Sequence, residues 1–263
     1  MPTVTSADGT TIAYETLGTG PALIYVDGAM CYREFGPARG LAQALADEYT
    51  VHIYDRRGRG DSGNHLPWSA DREIDDLAAL LDAAGGRAHL FGCSSGAVLA
   101  ADAAARLPGV TRLALYEPPF IVDGTRAPRE TTFTADTEAL IARDDRSGAL
   151  KKFMKHVGMP TAAIHLMALT PPWKKLKAVA HTLPYDLRIL GDTGQGRPLD
   201  PARWAGATMP AIVMDGGKSP QYMRNGARAL SDALPKAEYR TLPGQTHMVK
   251  PAAIGPAVKE FLR

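Results

Sequence analysis

The sequence predicts an α/β protein whose mostly parallel sheet carries helices on both faces. Three observations point there. Short continuous apolar runs recur along the chain, such as Ala22-Leu23-Ile24-Tyr25-Val26 and Ala211-Ile212-Val213-Met214, as strands buried on both faces require. Segments with helical spacing of apolar residues stand between those runs. One such alternation passes through Gly92-Cys93-Ser94-Ser95-Gly96, a Gly-x-Ser-x-Gly pentapeptide set between a strand and a helix.

Taken in order, Val4 to Leu17 alternates around Asp8-Gly9, which predicts a hairpin. Ala22 to Val26 predicts a buried strand that ends at Asp27-Gly28-Ala29-Met30. Phe35, Leu41 and Leu45 predict a helix over Phe35 to Ala46. Tyr49 to Tyr54 predicts a second buried strand, running into the glycine-rich loop Asp55-Arg56-Arg57-Gly58-Arg59-Gly60-Asp61-Ser62-Gly63. Ser69 to Ala84 has acidic residues early, an apolar stripe of Ile74, Leu77, Leu80 and Leu81, and Gly85-Gly86 as terminator, all marks of a helix. The strand before Ser94, the alanine-rich helix to Leu107 and the strand Val110 to Tyr116 follow, the last closing on Glu117-Pro118-Pro119.

From about Ile121 to Ala205 no buried-strand run occurs. Helical segments (Thr134 to Arg143, Ser147 to Val157, Thr161 to Ala168, Trp173 to His181) are separated by Pro and Gly, which predicts a helical insertion over the carboxyl edge of the sheet. Strand and helix resume with Ala211 to Met214, Gln221 to Leu234 and Ala237 to Leu242, then the loop Pro243-Gly244-Gln245-Thr246-His247 and a last helix, about Ala252 to Leu262. The chain divides into a core domain, residues 1–120 and 206–263, and a cap, residues 121–205. Ligands of such sheets bind at the carboxyl ends of the strands.

Composition narrows the function. A chain of 263 residues can bury a full core, and its formal net charge is +2. No basic block or aromatic-interleaved basic patch suits nucleic acid. Arg56-Arg57 and Lys174-Lys175-Lys177 read as solvated faces, and the Asp55 to Ser62 loop as a brace, since no phosphate-cradling P-loop pattern occurs. Cys31 and Cys93 are too few for a disulfide framework. The start of the chain has no signal-peptide pattern and no stretch approaches membrane-spanning length. The reading is a soluble, cytoplasmic protein that acts on a small molecule, without nucleic acid, membrane, metal or cofactor, and with its oligomeric state open. No histidine pair has metal-ligand spacing.

The chemistry centres on Ser94. A tight strand-to-helix turn holds its hydroxyl at a helix N-terminus, where backbone N–H groups favour a developing oxyanion. A free hydroxyl is a poor nucleophile and needs a base within reach. His247, in the loop after the last strand, is the candidate.

Together with the Asp27-Gly28-Ala29 turn, the Asp55 to Ser62 loop and Pro243-Gly244-Gln245-Thr246-His247, the elbow pentapeptide resembles the α/β-hydrolase superfamily across essentially the whole chain. The resemblance implies an eight-stranded, mostly parallel sheet with a helical cap after the sixth strand. It implies Ser94 as nucleophile, His247 as base, and an oxyanion hole from the N–H groups of Ser95 and of Ala29 or its neighbour Met30. The loop that usually begins His-Gly here begins Asp27-Gly28, where Asp27 reads as a structural acceptor. The usual acid position after the seventh strand holds Ser219. Glu117, at the end of the sixth strand, is the favoured acid; Asp215 is the alternative, with Asp123 or no acid behind it. Cys93 reads as a packing residue. Met30, Phe35, Trp68, Met154, Met159, Met167, Trp173 and Tyr185 are candidates to wall an apolar substrate, or form the cap's own core. His165 and His181 lie in the cap, and Lys250 just beyond His247.

The function implied is a serine hydrolase acting on an ester, thioester or lactone. Carbon–carbon cleavage or acyl transfer at the same site is an alternative, and a non-hydrolytic binding or cyclisation protein is the alternative from another class.

Overall fold

A computed structural model describes all 263 residues. Its strands are β1 (Thr3–Thr5), β2 (Thr11–Leu17), β3 (Ala22–Val26), β4 (Thr50–Tyr54), β5 (Ala88–Cys93), β6 (Val110–Tyr116), β7 (Ala211–Gly216) and β8 (Ala237–Leu242). They form one sheet in the order β1-β2-β4-β3-β5-β6-β7-β8. β1 and β2 make the expected antiparallel hairpin, with Val4 opposite Ile12, and β2 also runs antiparallel to β4. Every other pair is parallel. The eight-stranded, mostly parallel sheet is as expected.

Period-two alternation divides the strand side chains between two cores. Leu23, Tyr25, Phe91, Cys93, Ala114 and Tyr116 face α1 (Ala38–Leu45) and α10 (Pro251–Leu262). Ile24, Val26, Leu90, Leu113 and Leu115 face α2 (Ala70–Ala83), α3 (Ser95–Ala104) and α9 (Gln221–Ala233). Burial on both faces is why β3 reads as an unbroken apolar run and the carboxyl halves of β5 and β6 as shorter ones. The Ser69 hydroxyl caps α2 by accepting the Arg72 N–H. Helix α1 starts three residues after Phe35, because Phe35 is engaged in a bridge with Tyr32 and Pro37 stands at the helix entry.

Between β6 and β7 lie α4 (Phe133–Ala142), α5 (Arg146–His156), α6 (Thr161–Met167), α7 (Pro171–Val179) and α8 (Leu183–Leu190), with 3-10 turns at Ala180–Thr182 and Pro201–Trp204. The first four match the helical segments expected from the sequence; α8 is an additional element. This insertion has its own small core around Leu150, Met154, Ile164, Trp173 and Leu183. No helix is long and apolar enough to cross a membrane.

One expectation is overturned. Arg56 and Arg57 are not a solvated face; both are buried. Their desolvation is offset by dedicated carboxylates. Arg56 forks onto Glu73, at 2.7 and 2.9 Å, and Arg57 onto Asp76, at 2.8 and 2.6 Å. Lys174, Lys175 and Lys177 are exposed as expected.

Candidate active site

Ser94 sits where β5 ends and α3 begins, with φ 56° and ψ −128°, a conformation that L side chains rarely hold. Close approach of neighbouring backbone enforces it. A Cβ on Gly92 would lie 2.5 Å from the Gly96 carbonyl oxygen, and one on Gly96 2.3 Å from that of Val26. The Ser94 N–H donates to the Tyr116 carbonyl at 2.9 Å, tying the elbow to β6. Cys93 is buried among the α1–α10 core residues, as the packing role required.

One residue past Tyr116 stands Glu117, fully buried and at φ 48°. Its Oε2 lies 2.8 Å from His247 Nδ1, and its Oε1 accepts the Gly216 N–H at 2.7 Å. A carboxylate is only an acceptor, so His247 Nδ1 carries the proton and Nε2 is left as the free basic nitrogen. The Tyr116 hydroxyl donates to the Thr246 carbonyl at 2.6 Å, fixing the loop one residue before His247. Gly216 lets that loop pack close, since a Cβ there would meet the Gln245 carbonyl carbon at 2.5 Å.

The other acid candidates are occupied elsewhere. Asp215 is buried, but its Oδ2 accepts from the Tyr239 hydroxyl and from Arg224 Nε. Asp123 accepts from Asn225 and Thr125. The Ser219 hydroxyl is buried without a partner.

The loop after β3 lies against Ser94: a Cβ on Gly28 would be 3.1 Å from Ser94 Cβ. Asp27 Oδ1 accepts from the Gly28 N–H and the Tyr25 hydroxyl, while its buried Oδ2 has no partner. Burial raises the Asp27 pKa to about 6, against the pull of those two donors. Met30, next to Ala29, has φ 62°.

Sequence reasoning missed the charged group under this loop. Asp186, on α8, is buried between two arginines. Its Oδ1 accepts from Arg56 Nη1 at 2.7 Å and from the Ser95 hydroxyl at 2.8 Å; its Oδ2 accepts from Arg59 Nη2 at 2.7 Å. Burial alone would raise its pKa, yet the Arg59 and Arg56 charges and the Ser95 hydroxyl leave it lowered. The only available signal was Leu183-Pro184, a helix-opening proline, ahead of Leu187 and Leu190.

Of the apolar candidates, Met154 and Trp173 belong to the insertion's own core, and Met30, Phe35, Met159 and Met167 pack against it. Trp68 and Tyr185 stack on each other, centroids 4.9 Å apart. Surface cavities of about 340 and 420 Å³ lie around Trp204 and Asn225, and no residue of the elbow, nor Glu117 or His247, lines either.

A family profile described as the Alpha/beta hydrolase family matches residues 18–253. The chain is similar to an alpha/beta hydrolase from Sphaerobacter thermophilus, 46% identical, with TM-score 0.91 and full coverage of both chains. It is similar to a pimeloyl-[acyl-carrier protein] methyl ester esterase of Chromobacterium violaceum, 29% identical over 89% of each chain. It also resembles an N-formylmaleamate deformylase of Pseudomonas putida, 38% identical over 42% of each chain, so that match spans less than half of the relative's length. With the profile spanning β3 to β8 and the whole insertion, the chain belongs to the alpha/beta hydrolase family, and its named relatives are hydrolases.

Proposed function

We propose that this chain is a serine hydrolase that cleaves a carboxylic ester, thioester or lactone of a small, partly apolar substrate through an acyl-Ser94 intermediate. The observation that carries this reading is the pairing of His247 with buried Glu117 at 2.8 Å, on loops that follow strands at the same sheet edge as the elbow. His247 Nε2 takes the Ser94 proton as Oγ attacks the carbonyl, and returns it to the leaving group. The N–H groups of Ala29 and Ser95 receive the developing oxyanion. Glu117 holds the imidazole in the required tautomer and balances the imidazolium charge. Water then repeats the cycle and releases the acid, with no cofactor needed.

In this reading residues 121–205 serve as the cap over a core of residues 1–120 and 206–263, and Met30, Phe35 and Met167 offer the substrate an apolar wall. The two free cysteines suit a reducing compartment, in keeping with a cytoplasmic location.

The test is labelling with an organofluorophosphonate followed by peptide mass mapping. One adduct per chain on Ser94, lost in His247→Ala, is the expected result. A folded protein that stays unlabelled and does not hydrolyse p-nitrophenyl acetate overturns the reading.

A further inference from the structure

We propose that Asp186 and Arg59 form a clamp that positions the oxyanion hole, so that the seating of helix α8 sets the orientation of the N–H donors. The proposal rests on the reading of Ser94 as nucleophile and concerns residues outside the triad.

All three Arg59 side-chain nitrogens donate, using four of the five guanidinium N–H groups. Nη1 donates to the carbonyls of Gly28, at 2.7 Å, and Cys31, at 3.2 Å; Nη2 donates to Asp186 Oδ2, at 2.7 Å; Nε donates to the Thr182 hydroxyl, at 3.1 Å. The Gly28 carbonyl and the Ala29 N–H are the two ends of one peptide unit, and that unit is trans. In a planar trans peptide these groups point in opposite directions. Fixing the carbonyl on Arg59 therefore fixes the Ala29 N–H on the other side. The strained residue, Met30 at φ 62°, lies between the two carbonyls that Arg59 holds. Such a conformation persists only where its surroundings over-determine it.

Asp186 reaches the other donor directly. Its Oδ1 accepts the Ser95 hydroxyl at 2.8 Å, and Ser95 supplies the second N–H. Arg56, bound to the same oxygen, donates to the Asp27 carbonyl at 3.3 Å. A single buried carboxylate on the insertion thus touches the first residue of α3 and, through two arginines, the backbone of the loop after β3. None of these side chains bears on His247 or Glu117. The clamp's effect is on where the N–H groups point, and an oxyanion exists only in the transition state, so its loss falls on kcat and not on KM.

Asp186→Asn and Arg59→Lys are tested on p-nitrophenyl acetate, and amide hydrogen exchange is followed at Ala29 and Ser95 in the free protein. Removal of a whole oxyanion donor costs about 100- to 1,000-fold in kcat; misorientation should cost roughly 10- to 100-fold, with KM within about threefold and faster exchange at Ala29. Ser95→Ala, which keeps the N–H and removes one link, should show a smaller loss of the same kind. Folded variants with wild-type kcat and wild-type Ala29 exchange overturn the clamp. Should Asp186→Asn fail to fold, wild-type values in both Arg59→Lys and Ser95→Ala overturn it. The exchange readout needs no turnover. If the wild-type protein neither labels at Ser94 nor cleaves the ester, the serine-hydrolase reading fails, and Ala29 exchange still decides the clamp.

Discussion

Glu117 Oε2 and His247 Nδ1 stand 2.8 Å apart, although 130 positions separate the residues in the chain. The carboxylate comes from the end of β6 and the imidazole from the loop after β8, and the end of β7 lies between them, giving its Gly216 N–H to the other carboxylate oxygen. Glu117 therefore has two donors and spends one oxygen on each.

That division makes Glu117→Gln informative. An amide has a single oxygen. If it accepts from Gly216, its NH₂ faces Nδ1 and reverses the tautomer, so Nε2 can no longer accept the Ser94 proton. If it accepts from Nδ1, the buried Gly216 N–H loses its acceptor. Steady-state assay of the folded variant should give kcat lower by about 1,000- to 10,000-fold. Asp215→Asn should instead keep kcat within a few fold and cost about 1–3 kcal/mol in denaturant unfolding, since Asp215 serves Arg224 and Tyr239. The reverse pair of results assigns the acid to Asp215.

Asp27 predicts a pH-dependent stability. Burial raises its pKa in the folded protein to about 6, while in the unfolded chain it titrates near the ordinary carboxylate value. Well below pH 4 both states hold the proton and Asp27 contributes nothing. Between about pH 4 and 6 the folded state retains a proton that the unfolded state gives up, so stability falls as pH rises. Above pH 6 the penalty is complete, at about 3 kcal/mol. Asp27→Asn removes the titration. Its stability relative to wild type should climb from pH 4 to 6 and then level off in thermal unfolding; a difference constant over that range would show that Asp27 keeps an ordinary pKa.

The elbow predicts a gain in stability when function is removed. Ser94 holds φ 56° and ψ −128°, where a Cβ costs about 1–3 kcal/mol. Ser94→Gly releases that strain and loses up to about 1 kcal/mol to unfolded-state freedom. Ser94→Ala removes the hydroxyl and keeps the Cβ. Ser94→Gly should therefore unfold at a higher denaturant midpoint than Ser94→Ala, with the same slope, both being inactive. A lower midpoint for Ser94→Gly than for Ser94→Ala would mean that the turn is not strained.

The parts of the fold that local chemistry dictates are legible in the sequence. β3 stands out because burial on both faces demands an unbroken apolar run, β5 and β6 because their carboxyl halves are apolar for the same reason, and the elbow because its glycines have local steric reasons. Glu117 can be singled out as a carboxylate at a strand end that must find a partner. Two things are hidden. Helix α8 is eight residues long, opens on Leu183-Pro184 and runs on directly from a 3-10 turn, so it offers little periodicity of its own. Arg56 reads as solvated because its distant partner, Asp186, lies 130 residues away; charge in a sequence says nothing about burial until pairing is known.

The position of Asp186 bears on how this protein could be rebuilt for other substrates. Exchange of the whole stretch 121–205 with that of a relative would import a foreign α8 and leave two interior guanidinium groups facing whatever it carried. A chimaera joined before Ala180 would retain Thr182 and Asp186 with the host arginines. The insertion thus splits into an outer portion open to replacement and an inner helix that travels only with its own core.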